Sequence, residues 1–299
     1  MGIIGKILGA LSLSAFSAIA WGGQTGSVAT GIDEVFGLPK PPVDFAYNFK
    51  WALTDSIASL ILAFIVIGFA ISHARRRGTY FPVVVACSGL LFGIPEVLID
   101  IAGACWWAVG PDQVVFTIMG RPMTWLPMAS WFAFAALLIY IPYHLLVKKV
   151  STKALWIGFA VTCLVDPVFE EINLRIPGLY TYYGHQPLVF SVFPVWWMFV
   201  NAAGCFVAAA LIYRFEKQLS GWKSIAVFFL APLAYMAAFG FSGVPAAIVI
   251  NGDYSWLATQ LGGLITVALA IVSVALTMSV VLDRNPFPFI KGQRIISPA

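Results

Sequence analysis

Apolar runs long enough to cross a bilayer alternate with short polar breaks along almost the whole chain. After a first run at residues 3–21, seven more follow at about 49–72, 81–109, 127–147, 154–175, 188–213, 223–244 and 256–282. Roughly 20 helical residues span the hydrocarbon layer, so the pattern predicts an all-α, polytopic bundle of eight transmembrane helices. The first run also fits a secretory signal peptide, with Lys6 in front and Ala18-Ile19-Ala20 near its end. Cleavage there would leave seven helices, and retention is the expectation. Residues 22–48 read as an external loop, broken by Pro41-Pro42. Residues 49–282 then form a seven-helix bundle and 283–299 a tail, all within one membrane domain over 1–299.

Composition supports this reading. Hydrophobic residues are 61% of the chain and charged residues 10%, against roughly 25% charged in soluble domains. No hydrophilic stretch remains for a separate soluble domain. The cations cluster in the short connections: Arg75-Arg76-Arg77, then Lys148, Lys149 and Lys153, then Arg214, Lys217 and Lys223. With Lys6, Arg284, Lys291 and Arg294, one side carries 13 Lys and Arg, and the other only Lys40, Lys50, Arg121 and Arg175. The positive-inside rule puts both termini in the cytoplasm of a multi-pass protein of the cell membrane, the inner one in a bacterium. This distribution explains the net charge of +4 without a nucleic-acid partner. Trp21, Trp51, Trp106, Trp107, Trp125, Trp131 and Trp256 fall near outer helix ends, and Trp156 and Trp222 near inner ends, as interfacial anchors would. Cys87, Cys105, Cys163 and Cys205 lie in apolar segments without C-x-x-C spacing, so neither a disulfide framework nor a zinc site is expected. His73 and His144 sit at cytoplasmic helix ends with no role assigned, and His185 is the single outer histidine. No metal or cofactor is therefore expected.

The acids follow a stricter rule than the cations. Of thirteen, only Glu216 and Asp283 fall on the cytoplasmic side; Asp33, Glu34, Asp44, Asp112 and Asp253 lie in external loops. The remaining six, Asp55, Glu96, Asp100, Asp166, Glu170 and Glu171, are inside helices. At about 1.5 Å of rise per residue they gather between the membrane midplane and its outer surface. Pro95-Glu96-x3-Asp100 and Asp166-Pro167-x2-Glu170 each put two carboxylates four residues apart, on one helix face, beside a proline. Ionisable groups at this depth are costly and mark function. The plain structural alternative is a buried polar network locking Asn173, Arg175, Tyr180 or Asn201 to the acids. Crowded buried carboxylates cannot all ionise, and a protonated carboxyl near neutral pH is what general acid catalysis needs. Glu170 and Glu171 point about 100° apart on the helix, so one of them is expected to serve packing alone. Arg175 and Pro177-Gly178 end this helix, and Tyr180, Tyr182, Tyr183 and His185 cap it. Gly120-Arg121-Pro122-Met123 reads as a lid or a turn, and Trp196, Trp197 and Asn201 as candidate pocket residues.

Asp166-x3-Glu170, Arg175, Gly178-Leu-Tyr180-Thr-Tyr182 and then Pro194 and Trp196 resemble the membrane-embedded spirocyclase family, the AveC-like spiroketal cyclase/dehydratases. Pro95-Glu96-x3-Asp100 followed by Trp106-Trp107 is similar to that family's other polar helix, but Glu96 and Asp100 replace its Asp-Pro and Asn-Trp arrangement. The resemblance covers roughly residues 50–215. It implies acid-catalysed cyclisation or dehydration of a lipophilic polyketide-like substrate without a redox cofactor. A weaker similarity to membrane carotenoid hydratases and terpene cyclases implies protonation of an alkene. In this reading Glu170 or Asp166 is the acid and Glu96 or Asp100 the base. Arg175, Tyr180, Asn173, Asp55, Trp197 and Asn201 bind substrate, which arrives sideways between helices. Two other readings stay open: a Mg²⁺-dependent membrane prenyltransferase, and a proton-coupled transporter. The first wants more cations at the site than this side offers. The second wants inverted repeats, whereas both acidic helices run outward, and a polar path through a cytoplasmic half read here as nearly apolar.

Overall fold

The computed structural model describes residues 31–33 and 37–288. The first apolar run, Glu34 and the end of the tail lie outside the described residues. Nine α-helices follow in order: α1 (Phe49–Arg77), α2 (Phe81–Ala86), α3 (Gly93–Gly103), α4 (Trp125–Val147), α5 (Thr152–Asn173), α6 (Trp196–Arg214), α7 (Val227–Ser242), α8 (Val244–Ile250) and α9 (Trp256–Leu276). Among the described residues, five helices, counting extensions of α7 and α9, are long and apolar enough to cross a membrane, and the bent α2–α3 pair makes six. α5 is as long, at about 33 Å, and carries three of the six helix-borne acids.

Local sequence sets the helix ends. Asn48, Ser151 and Ser255 each cap a helix by accepting a backbone N–H, of Trp51, Ala154 and Ala258 respectively. Gly78 closes α1 in the left-handed conformation directly after Arg75-Arg76-Arg77, cations favoured at a helix C-terminus. The apolar run at 81–109 is not one helix. A 3₁₀ turn at Ser88–Leu91 separates α2 from α3, and the axis bends by 50°. Pro95 stands in the first turn of α3, where its missing N–H costs little, so the break falls just before it.

α4 and α6 are the central helices. In their membrane-crossing windows 61% and 72% of residues are buried, against 22% in α1. α6 is rich in small residues along Ala202-Ala203-Gly204-Cys205 and Ala208-Ala209-Ala210, which lets α7, α4, α9 and α5 approach it closely. α1 and α5 each pack on α4 and share no extensive interface with each other.

At one end of the bundle the connections form strands, which the all-helical expectation did not include. β1 (Cys105–Trp107) pairs antiparallel with β4 (Tyr180–Tyr182), β2 (Val114–Ile118) with β3 (Arg121–Thr124), and β5 (Val189–Phe190) with β6 (Phe193–Pro194). Residues 105–109 and 188–195 were read as the ends of apolar helices. Hydropathy does not separate a short buried strand from a helix end, and that misassignment has this cause.

The opposite, basic end holds a second polar cluster. His73 Nδ1 lies 3.1 Å from the Tyr140 hydroxyl and 3.4 Å from His144 Nδ1. Arg77 donates to Glu216 at 2.8 Å and to Tyr143 at 2.8 Å, and Tyr143 donates to Glu216 at 3.0 Å. The expectation of a nearly apolar cytoplasmic half, and of histidines without specific contacts, is corrected by these bonds. α1 contributes His73 and Arg77, α4 contributes Tyr140, Tyr143 and His144, and the turn after α6 contributes Glu216, each unremarkable alone. Between this cluster and the stranded end lie Val66, Ala70, Leu137 and Leu138, all buried and apolar.

Candidate functional site

The acidic helices meet at the stranded end. α3 runs toward that end and brings Glu96 and Asp100; α5 runs the same way and brings Asp166 and Glu170. All four line one cavity. The wall between them is β1 paired with β4, which sets Trp107 opposite Tyr180 and Cys105 opposite Tyr182. Ser130 and Trp131 of α4 and Trp197 and Asn201 of α6 complete the lining. Ala104, left-handed at φ 51°, turns the chain sharply from α3 into β1. Gly103 allows the closure: a Cβ there would stand 2.1 Å from Trp197 Cζ2, so only glycine lets the indole lie against the helix end.

The two carboxylates of α5 have different partners. Glu170 Oε2 accepts from the Tyr180 hydroxyl at 2.9 Å and from the Tyr182 hydroxyl at 3.2 Å. Burial and the neighbouring Glu170 hold the Tyr180 and Tyr182 phenols well above their ordinary range, so both are neutral donors. Asp166 Oδ2 accepts from Asn201 Nδ2 at 2.9 Å, and Asn201 Oδ1 in turn accepts from the Tyr235 hydroxyl. Asp166 Oδ1 has no partner, although Asp166 is only 1% exposed. On the α3 wall, Glu96 Oε2 is also unpartnered. Glu96 and Asp100 face each other, with the Trp107 indole alongside and short of hydrogen-bonding geometry. Among the described residues, no Lys, Arg or His lines the cavity. It therefore offers free carboxyl oxygens and indole N–H groups in a low-dielectric enclosure. Such an enclosure can protonate or deprotonate a bound oxygen or olefin, and has little to neutralise an anion.

The roof is held by Arg121, which lay outside the expected site. Its guanidinium donates to the Cys105 carbonyl at 2.8 Å and to the Tyr183 hydroxyl, and stacks on Trp106 at 4.9 Å. The β2–β3 connection thus pins β1 to the segment after β4.

Most of the expected site residues come together: Glu170, Asp166, Glu96, Asp100, Tyr180, Asn173, Trp197 and Asn201 all line the cavity. Arg175 does not. It pairs with Glu171 at 2.6 Å and with Ser191 Oγ at 2.5 Å. Glu171 accepts from the backbone N–H groups of Val192 and Phe193, both at 3.3 Å, so this pair fastens α5 to the β5–β6 turn. Asp55 stands beside the cavity, where Ser130 Oγ donates to it at 3.0 Å and Asn173 also approaches. Trp106, Trp107 and Trp131 are not interfacial anchors: Trp106 and Trp131 are buried, and Trp107 and Trp131 line the cavity. Trp51, Trp125, Trp222 and Trp256 are exposed, as anchors should be. Cys105, Ser130 and Tyr235 take positions that no sequence signal marked for the site, whereas Tyr182 was marked by the Tyr-rich cap and by the Gly178-Leu-Tyr180-Thr-Tyr182 motif.

Comparison with protein-family models, with curated proteins and with solved structures finds no match for this chain.

Proposed function

We propose that this protein is an integral membrane cyclase or dehydratase, or a hydratase, working by carboxylate acid–base catalysis on a lipophilic polyketide- or terpenoid-like substrate. One observation carries the reading: two carboxylate pairs from separate helices share a buried cavity that no basic residue lines among the described residues. Glu170 is the acid of choice, because two neutral phenols orient one of its oxygens and leave the other free. Glu96 and Asp100, across the cavity, accept the proton. Asp166, fixed by Asn201, places the substrate. The motifs around Asp166–Tyr182 support membership of the AveC-like family in this reading. The positive-inside count supports an eight-helix, N-in and C-in arrangement in the cell membrane, with the stranded end outside. The cavity's lack of cations weighs against a diphosphate substrate. The apolar layer below it weighs against a continuous proton conduit.

Lipid-extract profiling of cells lacking the gene, complemented with wild type or Glu170→Gln, tests the reading. The wild-type chain should restore the missing lipophilic product. Glu170→Gln keeps the shape, removes the acid, and should lower product by about two orders of magnitude or more. Full restoration by that variant sinks the assignment of Glu170. Full restoration by the double variant Glu96→Gln, Glu170→Gln sinks the whole acid–base reading.

A further inference from the structure

The exposure of the cavity lining is not uniform. Residues of α3, β1, β4 and α6 (Ile99, Asp100, Cys105, Tyr180, Trp197, Asn201) are fully buried, and make the back wall. The half-buried lining residues are Ser59 and Leu62 of α1, Ser130 and Phe134 of α4, and Phe169, Glu170 and Asn173 of α5, with Trp107 of β1 the one half-buried member of the back wall. Burial therefore falls toward the gap between α1 and α5, which both rest on α4 and share no extensive interface with each other. Buried side chains stand at both ends of the cavity among the described residues. Trp106, Tyr182 and Tyr183 lie under Arg121 at the stranded end, and Val66, Leu137 and Leu138 lie at the other.

The gap has matched rungs. α1 and α5 run in opposite directions, and Asp55 and Asn173 approach one another across it. One turn further from the strands are Ser59 on α1 and Phe169 on α5; two turns further are Leu62 and Asp166. Outside this ladder the surface is apolar and exposed: Ile57, Ile61 and Phe64 on α1, Leu164 and Val168 on α5. Such a surface faces lipid. The cavity volume is only about 90 Å³, room for a few waters. A long-chain molecule cannot be swallowed whole in that space.

We infer that the gap between α1 and α5 is a portal to the bilayer, rimmed at its stranded end by the Asp55–Ser130–Asn173 clasp. It takes an amphiphile that keeps its apolar chain in the membrane, between Ser59, Leu62 and Phe169, while its polar end reaches the carboxylates. The inference rests on the chamber being the ligand's destination, as in the proposed function, but not on the chemistry done there.

Carbodiimides of opposite solubility test it in native membranes of the full chain. Each adds to a protonated carboxyl: the acid proton moves to a carbodiimide nitrogen, the carboxylate oxygen bonds to the central carbon, and rearrangement leaves a stable N-acylurea. Dicyclohexylcarbodiimide travels in lipid, and the cationic water-soluble analogue does not. Peptide mass mapping should find Glu170, Asp166, Glu96 or Asp100 modified at least about tenfold faster by the lipid-borne reagent. The water-soluble one should modify exposed Asp112 and Asp253. Ser59→Trp and Leu62→Trp, placed in the portal, should slow the lipid-borne reaction about fivefold or more. Equal rates with the two reagents, no chamber labelling by either, or unchanged rates in both tryptophan variants overturns the portal. The wild-type comparison stands even where a variant fails to fold. Labelling is independent of turnover, so a working portal with a fully active Glu96→Gln, Glu170→Gln double variant would sink the acid–base reading alone.

Discussion

Asn201 stands between two groups that are each costly to leave alone in the interior. Its amide nitrogen serves Asp166 and its oxygen serves Tyr235. Asn201→Ala would strip a buried acid and a buried phenol of partners at once, at about 1–3 kcal/mol for each buried group left unsatisfied. A marked fall in the thermal midpoint of the detergent-purified protein is expected, and an unchanged midpoint would show that the network adds nothing to stability. Glu171 gives the contrasting case. Adjacent to Glu170, it is turned about 100° away and spent on Arg175 and two backbone N–H groups. That one of the adjacent glutamates serves packing follows from helical geometry. Which one does so is decided by the β5–β6 turn, whose N–H groups lie beside Glu171. Arg175 is lost to the site for the same reason, since its carboxylate partner is four residues back on its own helix.

Among the elements, the bent α2–α3 segment does most to form the chamber. Its break lets Gly89 and Gly93 press against α4, where Cβ atoms would stand 2.6 Å from the Phe132 carbonyl oxygen and 2.9 Å from Met128 Cγ. α3 is thereby directed along α5 with its acids inward. At the end of α3, Gly103→Ala drives a methyl into the Trp197 ring. The ring is packed between Trp196, at 4.2 Å between centroids, and Phe239, at 5.7 Å, and has little room to shift. A loss of about 1–3 kcal/mol is expected from this overpacking, with a change in near-ultraviolet circular dichroism from the displaced indole. A variant as stable as wild type, with an unaltered spectrum, would mean that the α3–α6 contact is looser than described. The strands at this end were not legible beforehand. Cys105-Trp106-Trp107 continues an apolar helix in hydropathy, and its pairing with Tyr180-Thr181-Tyr182 spans more than 70 residues of sequence.

For the molecule as a whole, charge distinguishes the two ends. Arg75–Arg77, Lys148, Lys149, Arg214 and Lys217 gather at one end of the bundle, while Asp112 and Asp253 lie at the other. Cysteine at Asp112 should react with a membrane-impermeant maleimide in intact cells, and cysteine at Lys149 only after permeabilisation. The reverse pattern would invert the proposed orientation and put the chamber in the cytoplasmic half. Of the native cysteines, Cys105, Cys163 and Cys205 are buried, and half-buried Cys87 is replaced by Ala to remove its background.

The sequence by itself determined that the chain is a helical bundle of membrane type, and that its helix-borne acids lie in pairs on faces of two helices. Both follow from local rules: hydropathy over a span-length window, and an i,i+4 repeat that holds wherever a helix forms. Tertiary structure alone decided that those faces look into one cavity. It also turned three tryptophans into wall and roof, withdrew Glu171 and Arg175 into a brace, and left the side between α1 and α5 half open. Each of these depends on which helices become neighbours and how closely they approach. That is settled by side-chain packing across the bundle, between residues whose separation in sequence carries no trace of their contact.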